Sequence, residues 1–547
     1  GTATTTTPTP GERSGSPTAE RSAGGGWSGV SPRLAALGLV LVGLLAVASA
    51  LAVVQPFAAG PVSYDVGSSV IHFLRLIHGQ RLEAFISTTP KPLLTVIDGG
   101  LYALTGDWRA ISLAAIAAFG AAVALATWLA ARVAGPVAAA FAAVALVAAP
   151  SVAGELVIAS AVPFAMVGWA AAGLAVTAPR PRYVLAGVAL ALGSLARLET
   201  LVLVGVAAGT LVALWLASRR DARAGVPRGA WWVLLGLTAL PVMLVHDWLL
   251  TGDPMFWASV ATRYSEGVGA ATLMHPAALA HFLAHRYLGL IAFVVLAAIG
   301  GLSLLQRRRW ATAVGLAALG PGIVAFLFFL SARGTFVATR YAVPVDLAVL
   351  FAAAIGTARV AEEIGRVIAA RWPHLTPTDG RARSRLAAGA AVLAALLAVA
   401  CGWPPALVAA TTATAARDAR QLAANERAAV PVLRTALARL QGSHDVAAGP
   451  GERPLVLLVP VPMRTLLASD LDVPLTRLGS TSPGGLAPPP GSLAKTALIV
   501  HSRVGDARDP AYAELEVATP TTIGGQTLTP LFVDATDGLW IYAVTGP

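Results

Sequence analysis

The sequence predicts an α-helical polytopic membrane protein of about eleven transmembrane helices with a small C-terminal extracytoplasmic α/β domain. Of its 547 residues, 56% are hydrophobic and only 12% are charged, whereas ordinary globular domains are about 25% charged. Apolar runs of about 20 residues, the length that crosses a bilayer, recur along most of the chain. After about residue 409 these runs stop, and helical and strand-like patterns alternate instead.

The apolar runs predict a membrane domain over residues 34–408. The eleven predicted spans are 34–54, 110–131, 137–150, 160–178, 183–196, 201–218, 231–250, 287–305, 310–330, 341–358 and 386–408. The third and fifth are short, which indicates tilted or broken helices. Residues 1–33 are rich in Thr, Pro, Gly and Ser, so we predict a disordered cytoplasmic tail. The apolar run after this tail is too long for a cleavable signal peptide.

The arginine distribution predicts a cytoplasmic N-terminus in the cytoplasmic (inner) membrane. With that orientation, the inside segments hold roughly twice as many Arg and Lys residues as the outside loops, as the positive-inside rule expects. An odd number of spans then puts residues 409–547 outside. The net charge of +11 belongs largely to these loop arginines, so we expect no nucleic-acid partner.

The C-terminal region is predicted to form an α/β domain. A helical pattern covers Arg417–Leu440, and strand-like runs follow at Leu455–Val461, Ala497–Val500 and Leu539–Val544. Pro- and Gly-rich turns separate these runs, as in a small mixed domain. It carries no recognisable catalytic motif. Its expected position outside the membrane suggests the hypothesis that it selects an acceptor.

Several chemistries are excluded by what the sequence lacks. The single cysteine, Cys401, excludes an intramolecular disulfide and a cysteine-based zinc site. The chain has no Walker loop, no nucleotide-binding glycine fingerprint and no HExxH motif, so ATP-driven transport by this chain alone is not expected. The sequence assigns no cofactor, and a divalent metal stays an open alternative that no sequence feature supports.

The predicted first external loop, residues 55–109, is the most polar part of the membrane domain. It carries Asp65 soon after the first span and Lys91, one of only two lysines. Asp65 is a candidate general base for a hydroxyl group or the N-cap of a helix beginning at Val66. Lys91 lies between two prolines, ahead of a predicted membrane-lying helix. It is a candidate ligand of a lipid phosphate or a contact of ordinary headgroups.

Three further groups of polar residues interrupt apolar stretches. Arg197 and Glu199 lie within a stretch where charges are costly, which indicates either a phosphate-facing Arg oriented by Glu or a structural salt bridge. His246 and Asp247 are expected to bind substrate or metal, or to meet water at a helix end.

The pair Arg340-Tyr341 opens a late span from the outside. It is a candidate for a donor phosphate contact, or an anchor at the membrane interface, a depth that both residue types prefer.

The order of these motifs resembles the GT-C membrane glycosyltransferases, and within them the protein mannosyltransferase and aminoarabinose transferase group. The resemblance covers roughly residues 34–360. It implies that Asp65 is the catalytic base and that Lys91 holds the phosphate of a polyprenyl-phosphate sugar. The further substrate-binding residues expected are Tyr64, Arg197, Glu199, His246, Arg340 and Tyr341. Many relatives have Asp-Glu where this chain has Asp65-Val66, so a second acid is missing.

The resemblance implies transfer of a hexose or pentose from a polyprenyl-phosphate donor to an envelope glycan, lipid or protein at the outer membrane face. Membrane lipids are the other expected partners. A single base predicts inversion, because a retaining mechanism needs a second nearby carboxylate. The other acids of the loop, Glu83, Asp98 and Asp107, are not adjacent to Asp65 in sequence. The alternatives are a transporter or flippase of lipid-linked sugars and a non-enzymatic envelope scaffold.

Overall fold

The computed structural model contains a helical membrane domain and a C-terminal α/β domain. It describes residues 32–54, 64–82, 91–219, 226–257, 275–335, 337, 339–371, 389, 405–442, 457–471, 473, 478–480, 496–503, 516–523 and 525–545. The helices of the first half are α1 (Pro32–Val54), α2 (Tyr64–Ile77), α3 (Pro92–Thr105), α4 (Arg109–Ala134), α5 (Pro136–Val147), α6 (Pro150–Val157), α7 (Val162–Val176), α8 (Tyr183–Ala196) and α9 (Thr200–Ser218).

The second half begins with a 3-10 segment over Ala230–Thr238. The helices that follow are α10 (Ala239–Thr251), α11 (Pro276–Leu288), α12 (Ile291–Gln306), α13 (Trp310–Ala317), α14 (Ile323–Ala332), α15 (Val343–Arg371), α16 (Pro405–Gly442) and α17 (Val461–Leu471). A π-helical turn at Ala318–Gly322 joins α13 to α14, and a 3-10 turn at Thr339–Ala342 precedes α15.

A described helix lies at each of the first ten predicted spans. Among the residues that the structure describes, six helices are long and apolar enough to cross a membrane, and up to eight if each bent helix pair counts as one span. The third span is short because Pro150 starts a new helix, and α5 and α6 meet at 50°. The last predicted span, 386–408, lies almost wholly outside the described residues, so the number of spans stays a prediction.

Small residues allow the membrane helices to pack closely. A Cβ atom added to Gly300 of α12 would lie 2.0 Å from the carbonyl oxygen of Ala352, and one added to Gly356 of α15 would lie 1.9 Å from that of Leu296. Such backbone contact is how helices associate where hydrophobic exclusion is weak. In the most apolar 18-residue stretch of the span that contains α15, 83% of the residues are buried, so this part of the helix lies at the centre of the domain.

Helices α2 and α3 of the first loop lie side by side. A Cβ atom on Gly99 would stand 2.1 Å from Cβ of Phe73, so only glycine permits this approach. Val66 and Val70 of α2 pack against Ile111 of α4. Both loop helices are therefore fixed against the membrane domain.

The C-terminal domain, formed by α16, α17 and six strands, has a mixed sheet. Its strands are β1 (Leu457–Val459), β2 (Leu478–Ser480), β3 (Leu498–Ser502), β4 (Thr521–Ile523), β5 (Gln526–Asp534) and β6 (Leu539–Thr545). The order is β2-β1-β3-β6-β5-β4, and β1 is parallel to both of its neighbours. Alternate residues face opposite sides, so Leu457 and Ile541 meet the helices while Leu458 and Trp540 fill the other face.

The predicted helix and the three predicted strand-like runs are confirmed as α16, β1, β3 and β6. The predicted strand-like run Leu455–Val461 extends too far, because α17 begins at Val461. Three strands were missed. They are short or carry the polar residues of a half-exposed sheet edge, so they lack a hydrophobic signal of their own.

Candidate functional site

The carboxylate of Asp65 lies between two cations. Lys91 Nζ is 2.9 Å from Asp65 Oδ2, and a guanidinium nitrogen of Arg340 is 3.2 Å from the same oxygen. The side chains of Asp65 and Lys91 are only 19% and 16% exposed. The three residues come from α2, from the residue before α3 and from the 3-10 turn before α15, so the fold gathers them from distant parts of the chain.

The local structure explains how each group is presented. Helix α2 begins at Tyr64, so Asp65 lies within its first turn, where a carboxylate is favourable. The alternative in which Asp65 caps a helix that starts at Val66 is therefore wrong. Pro92 is the first residue of α3, so Lys91 is the residue at its N-cap. The proline thereby fixes the position from which the Lys91 side chain extends.

An ion pair between Arg286 and Asp346 fixes the start of α15, next to the turn that carries Arg340. Asp346 in the first turn of α15 accepts hydrogen bonds from Arg286 Nε at 3.0 Å and from the Tyr287 hydroxyl at 3.0 Å. Asp346 is 3% exposed. Helix α11 is thereby attached to the start of α15, which keeps the Arg340 turn in place.

The electrostatics of Asp65 are a balance of burial and charge. Burial acts to raise its pKa, but the charges of Lys91 and Arg340 outweigh it and hold the pKa well below its ordinary value. The carboxylate is therefore ionised and weakly basic in this state. Its basicity depends on what else Lys91 and Arg340 contact.

Arg197 forms a second charged group beside the first. It contacts Glu199 with two hydrogen bonds, of 2.6 and 3.3 Å, and Glu155 at 3.8 Å. Its guanidinium carbon lies 6.0 Å from the ring centre of Tyr341. The predicted salt bridge between Arg197 and Glu199 is present, and it adjoins the Asp65 site through Tyr341, the residue after Arg340.

His246 belongs to a buried polar cluster rather than to a water-exposed helix end. His246 and Asp247 are each 6% exposed, so the alternative in which they meet water is wrong. The His246 ring nitrogens lie 3.2 Å from Thr95 Oγ1 and 3.2 Å from Asp247 Oδ1. Thr95 follows Lys91 by one turn, so His246 contacts the helix that presents the lysine.

Two further buried titratable groups lie on the loop helices. His72 of α2 packs edge-on against His246 with ring centres 5.5 Å apart. Burial, followed by the charges of His246 and Lys91, lowers the pKa of His72 to about 3. Asp98 of α3 is fully buried with no hydrogen-bond partner among the described residues. Burial raises its pKa well above the usual range.

An apolar cavity of about 360 Å³ lies between the membrane helices. Its lining includes Trp169, Tyr183, Leu203, Trp310, Leu347 and Phe351. Trp169 donates a hydrogen bond of 3.0 Å to Thr200, the residue after Glu199. One residue of the cavity wall is therefore hydrogen-bonded to the neighbour of Glu199.

Six of the eight predicted site residues lie around one centre: Asp65, Lys91, Arg197, Glu199, Arg340 and Tyr341. His246 lies in the adjoining buried cluster. The backbone of Tyr64 opens α2, but its side chain lies outside the described part of the structure. Within the described residues, no group of three His, Cys, Asp or Glu side chains could hold a metal ion.

Sequence reasoning missed Glu155 and His72, and it treated Asp98 only as a loop acid. Glu155 had a visible signal, since it is the sole charged residue between Arg132 and Arg180. A lone acid in so long an apolar stretch indicates a functional or paired group. His72 had no such signal, because one histidine on an amphipathic helix is unremarkable in sequence.

Comparisons with known proteins identify the fold. No protein-family model matches the chain, and no curated protein matches it by sequence. The crystal structure of ArnT from Cupriavidus metallidurans bound to undecaprenyl phosphate superposes with a TM-score of 0.53 at 15% identity, over 92% of this chain and 97% of that chain. The apo structure of ArnT gives a TM-score of 0.50 at 16% identity, over 93% and 98%. The chain therefore has the fold of ArnT, and its C-terminal part is an α/β domain.

Proposed function

We propose that this protein is a membrane glycosyltransferase that moves a sugar from a polyprenyl-phosphate donor to a cell-envelope acceptor at the outer face of the cytoplasmic membrane. The observation that carries the proposal is the partly buried carboxylate of Asp65 held between Lys91 and Arg340. Two cations beside one base suit a reaction in which a phosphate leaves and a hydroxyl attacks.

The donor phosphate competes with Asp65 for the two cations. A phosphate oxygen accepts charge-assisted hydrogen bonds from Lys91 and Arg340 in place of the carboxylate. Once the cations are engaged elsewhere, burial remains as the main influence on Asp65 and raises its pKa. Donor binding thereby converts an inert ion-paired carboxylate into a base.

The transfer step balances within this set of groups. The acceptor oxygen forms a bond to the anomeric carbon, and the bond from that carbon to the phosphate oxygen breaks. The electron pair stays on the phosphate, next to Lys91 and Arg340, and the hydroxyl proton passes to Asp65. This is a single displacement with inversion.

The two carboxylates that could serve as the nucleophile of a retaining mechanism already form ion pairs. Glu155 and Glu199 both contact Arg197, which is 6% exposed. The positive charge of Arg197 lowers the nucleophilicity of both carboxylates, so these contacts favour inversion. Tyr341, beside Arg197, is the neighbouring group that we propose for a polar contact with the sugar or the phosphate.

The apolar cavity supports a lipid-linked donor. Its lining is almost entirely hydrocarbon and aromatic, and Trp169 in its wall is hydrogen-bonded to Thr200, the residue after Glu199. Undecaprenyl phosphate is what one ArnT structure of the same fold contains. We propose that part of a polyprenyl chain occupies this cavity.

The test is sugar transfer by the purified full chain in lipid nanodiscs. A panel of polyprenyl-phosphate hexoses and pentoses with radiolabelled sugars is offered together with membrane-extract acceptors, and the anomeric configuration of the product is determined by NMR. Transfer with inversion is expected. Retention would overturn the single-displacement scheme. Absence of both transfer and donor binding would overturn the proposed function.

A further inference from the structure

The helix that carries Asp65 has a close contact with the C-terminal domain at a glycine, Gly67. A Cβ atom built on Gly67 would lie 2.1 Å from Oγ1 and 2.6 Å from Cβ of Thr465, in α17. Any side chain at position 67 therefore displaces one helix from the other. Gly67 follows Asp65 by two residues in the same helical turn, so a displacement at this contact moves the carboxylate.

One turn further along α2, the contact becomes hydrophobic. Ile71 is buried in the same cluster as Leu433, Met463 and Leu466 of the C-terminal domain. On its other side, α2 packs through Val66 and Val70 against the membrane domain. Helix α2 is thus enclosed between the two domains, and its position depends on both.

Helix α3, which begins after Lys91, is attached to the same part of the C-terminal domain. The Tyr102 hydroxyl donates a hydrogen bond of 2.9 Å to Asp470 Oδ1 near the end of α17, and Trp108 Nε1 donates one of 3.3 Å to the same oxygen. The Tyr102 and Trp108 rings lie 4.4 Å apart. Helix α17 therefore contacts the helices of both members of the Asp65–Lys91 pair.

We propose that α17 is a positioning element for the transfer site, with Gly67 and Thr465 as positioning residues that set the place of Asp65. The inference rests on the proposed function only in taking Asp65 as the base. A reacting group displaced by about 1 Å loses on the order of a hundredfold in rate. The C-terminal domain then acts on the rate of transfer for every acceptor, rather than as an acceptor reader alone.

The test uses the full chain in nanodiscs with Gly67→Ala and a matched control, Gly100→Ala. Gly100 lies in α3 with open space where a Cβ would be added, so the control introduces the same methyl group without a clash. Gly67→Ala is expected to lower kcat about a hundredfold, with the Kd for undecaprenyl phosphate within about threefold of wild type. This split is expected because Lys91 and Arg340 still hold the phosphate.

Rescue separates positioning from general damage. Thr465→Gly removes both Thr465 side-chain atoms that the new methyl group would meet. The double variant Gly67→Ala/Thr465→Gly is therefore expected to recover at least tenfold in kcat over Gly67→Ala. The Thr465→Gly single variant is the reference for the cost of the second glycine.

Amide hydrogen exchange gives a readout that does not depend on activity. Gly67→Ala is expected to speed exchange in residues 64–77 and 461–471, and Gly100→Ala is not. Wild-type exchange and wild-type kcat in Gly67→Ala would overturn the positioning proposal while leaving the proposed function intact. If the wild type neither transfers sugar nor binds the donor, the proposed function fails, and unchanged exchange in Gly67→Ala would independently contradict the role of the α17 contact.

Discussion

Lys91 Nζ lies 2.9 Å from Asp65 Oδ2, so the cation and the acid of the first loop neutralise each other in the unliganded protein. Arg340 contacts the same oxygen at 3.2 Å. A phosphate that binds here must replace Asp65 as the partner of both cations. Donor binding and the basicity of Asp65 are therefore linked through shared contacts.

Replacement of Asp65 by Asn is expected to tighten binding of undecaprenyl phosphate. The variant removes the charge that competes for Lys91 and Arg340, and partly exposed ion pairs contribute up to about 1 kcal/mol. The expected gain is about two- to fivefold in Kd, measured by titration in nanodiscs. Weaker binding by Asp65→Asn would contradict a competition between Asp65 and the phosphate.

Replacement of Lys91 by Ala is expected to weaken the same binding about tenfold to a hundredfold. A hydrogen bond to a charged group contributes about 1.5–3 kcal/mol. The matched control is Arg109→Ala, which removes a cation of the same loop that is 42% exposed and paired with Asp107. Equal losses in the two variants would indicate general attraction to anionic lipid rather than a phosphate site.

Replacement of Arg197 by Ala is expected to destabilise the fold by about 3–5 kcal/mol, because it leaves Glu155 and Glu199 buried without their cation. The measurement is the Tm of the purified protein. Adding Glu155→Gln and Glu199→Gln should recover most of the loss. Arg307→Ala breaks an exposed pair with Glu362 and should cost less than about 1 kcal/mol. An unchanged Tm in Arg197→Ala would contradict a buried charge network.

His72 is expected to make the protein less stable as the pH falls. Burial, with His246 and Lys91, depresses its folded pKa from 6.5 to about 3. Between these values the unfolded chain binds a proton that the folded chain does not, so the free energy of unfolding rises with pH by up to about 1.4 kcal/mol per unit.

The pH dependence is measured by denaturant unfolding in micelles at pH 7 and pH 5. The free energy of unfolding should fall less from pH 7 to pH 5 in His72→Phe than in wild type. In His281→Asn, a change at an exposed helix position, it should fall as much as in wild type. The same pH dependence in His72→Phe and wild type would show that His72 is not the group responsible.

The site was predictable where polar residues stood out from an apolar chain. A charged side chain in an apolar stretch is energetically unfavourable, so its presence indicates a functional group or an ion pair. This signal singled out Asp65, Lys91, Arg197 and Arg340. Their partners were not predictable in the same way. Helix packing decides which carboxylate pairs with which cation. The sequence near Asp65 therefore gives no indication that Arg340 is its partner.

The C-terminal contacts show the same limit more strongly. Gly67 is an ordinary small residue in sequence, and its importance arises from Thr465 of a distant helix. Asp470 likewise gains its role only because Tyr102 and Trp108 reach it. Sequence pattern indicated a C-terminal α/β domain, but not that it packs on the first loop.

The most direct test of the central claim compares sugar transfer by wild type, Asp65→Asn and the control Asp107→Asn. Asp107 belongs to the same loop but is 52% exposed. With a donor that the wild type uses, Asp65→Asn should lose about a hundredfold to ten-thousandfold in kcat, the contribution of a general base, while Asp107→Asn keeps wild-type activity. Transfer by folded Asp65→Asn within threefold of wild type would contradict the account.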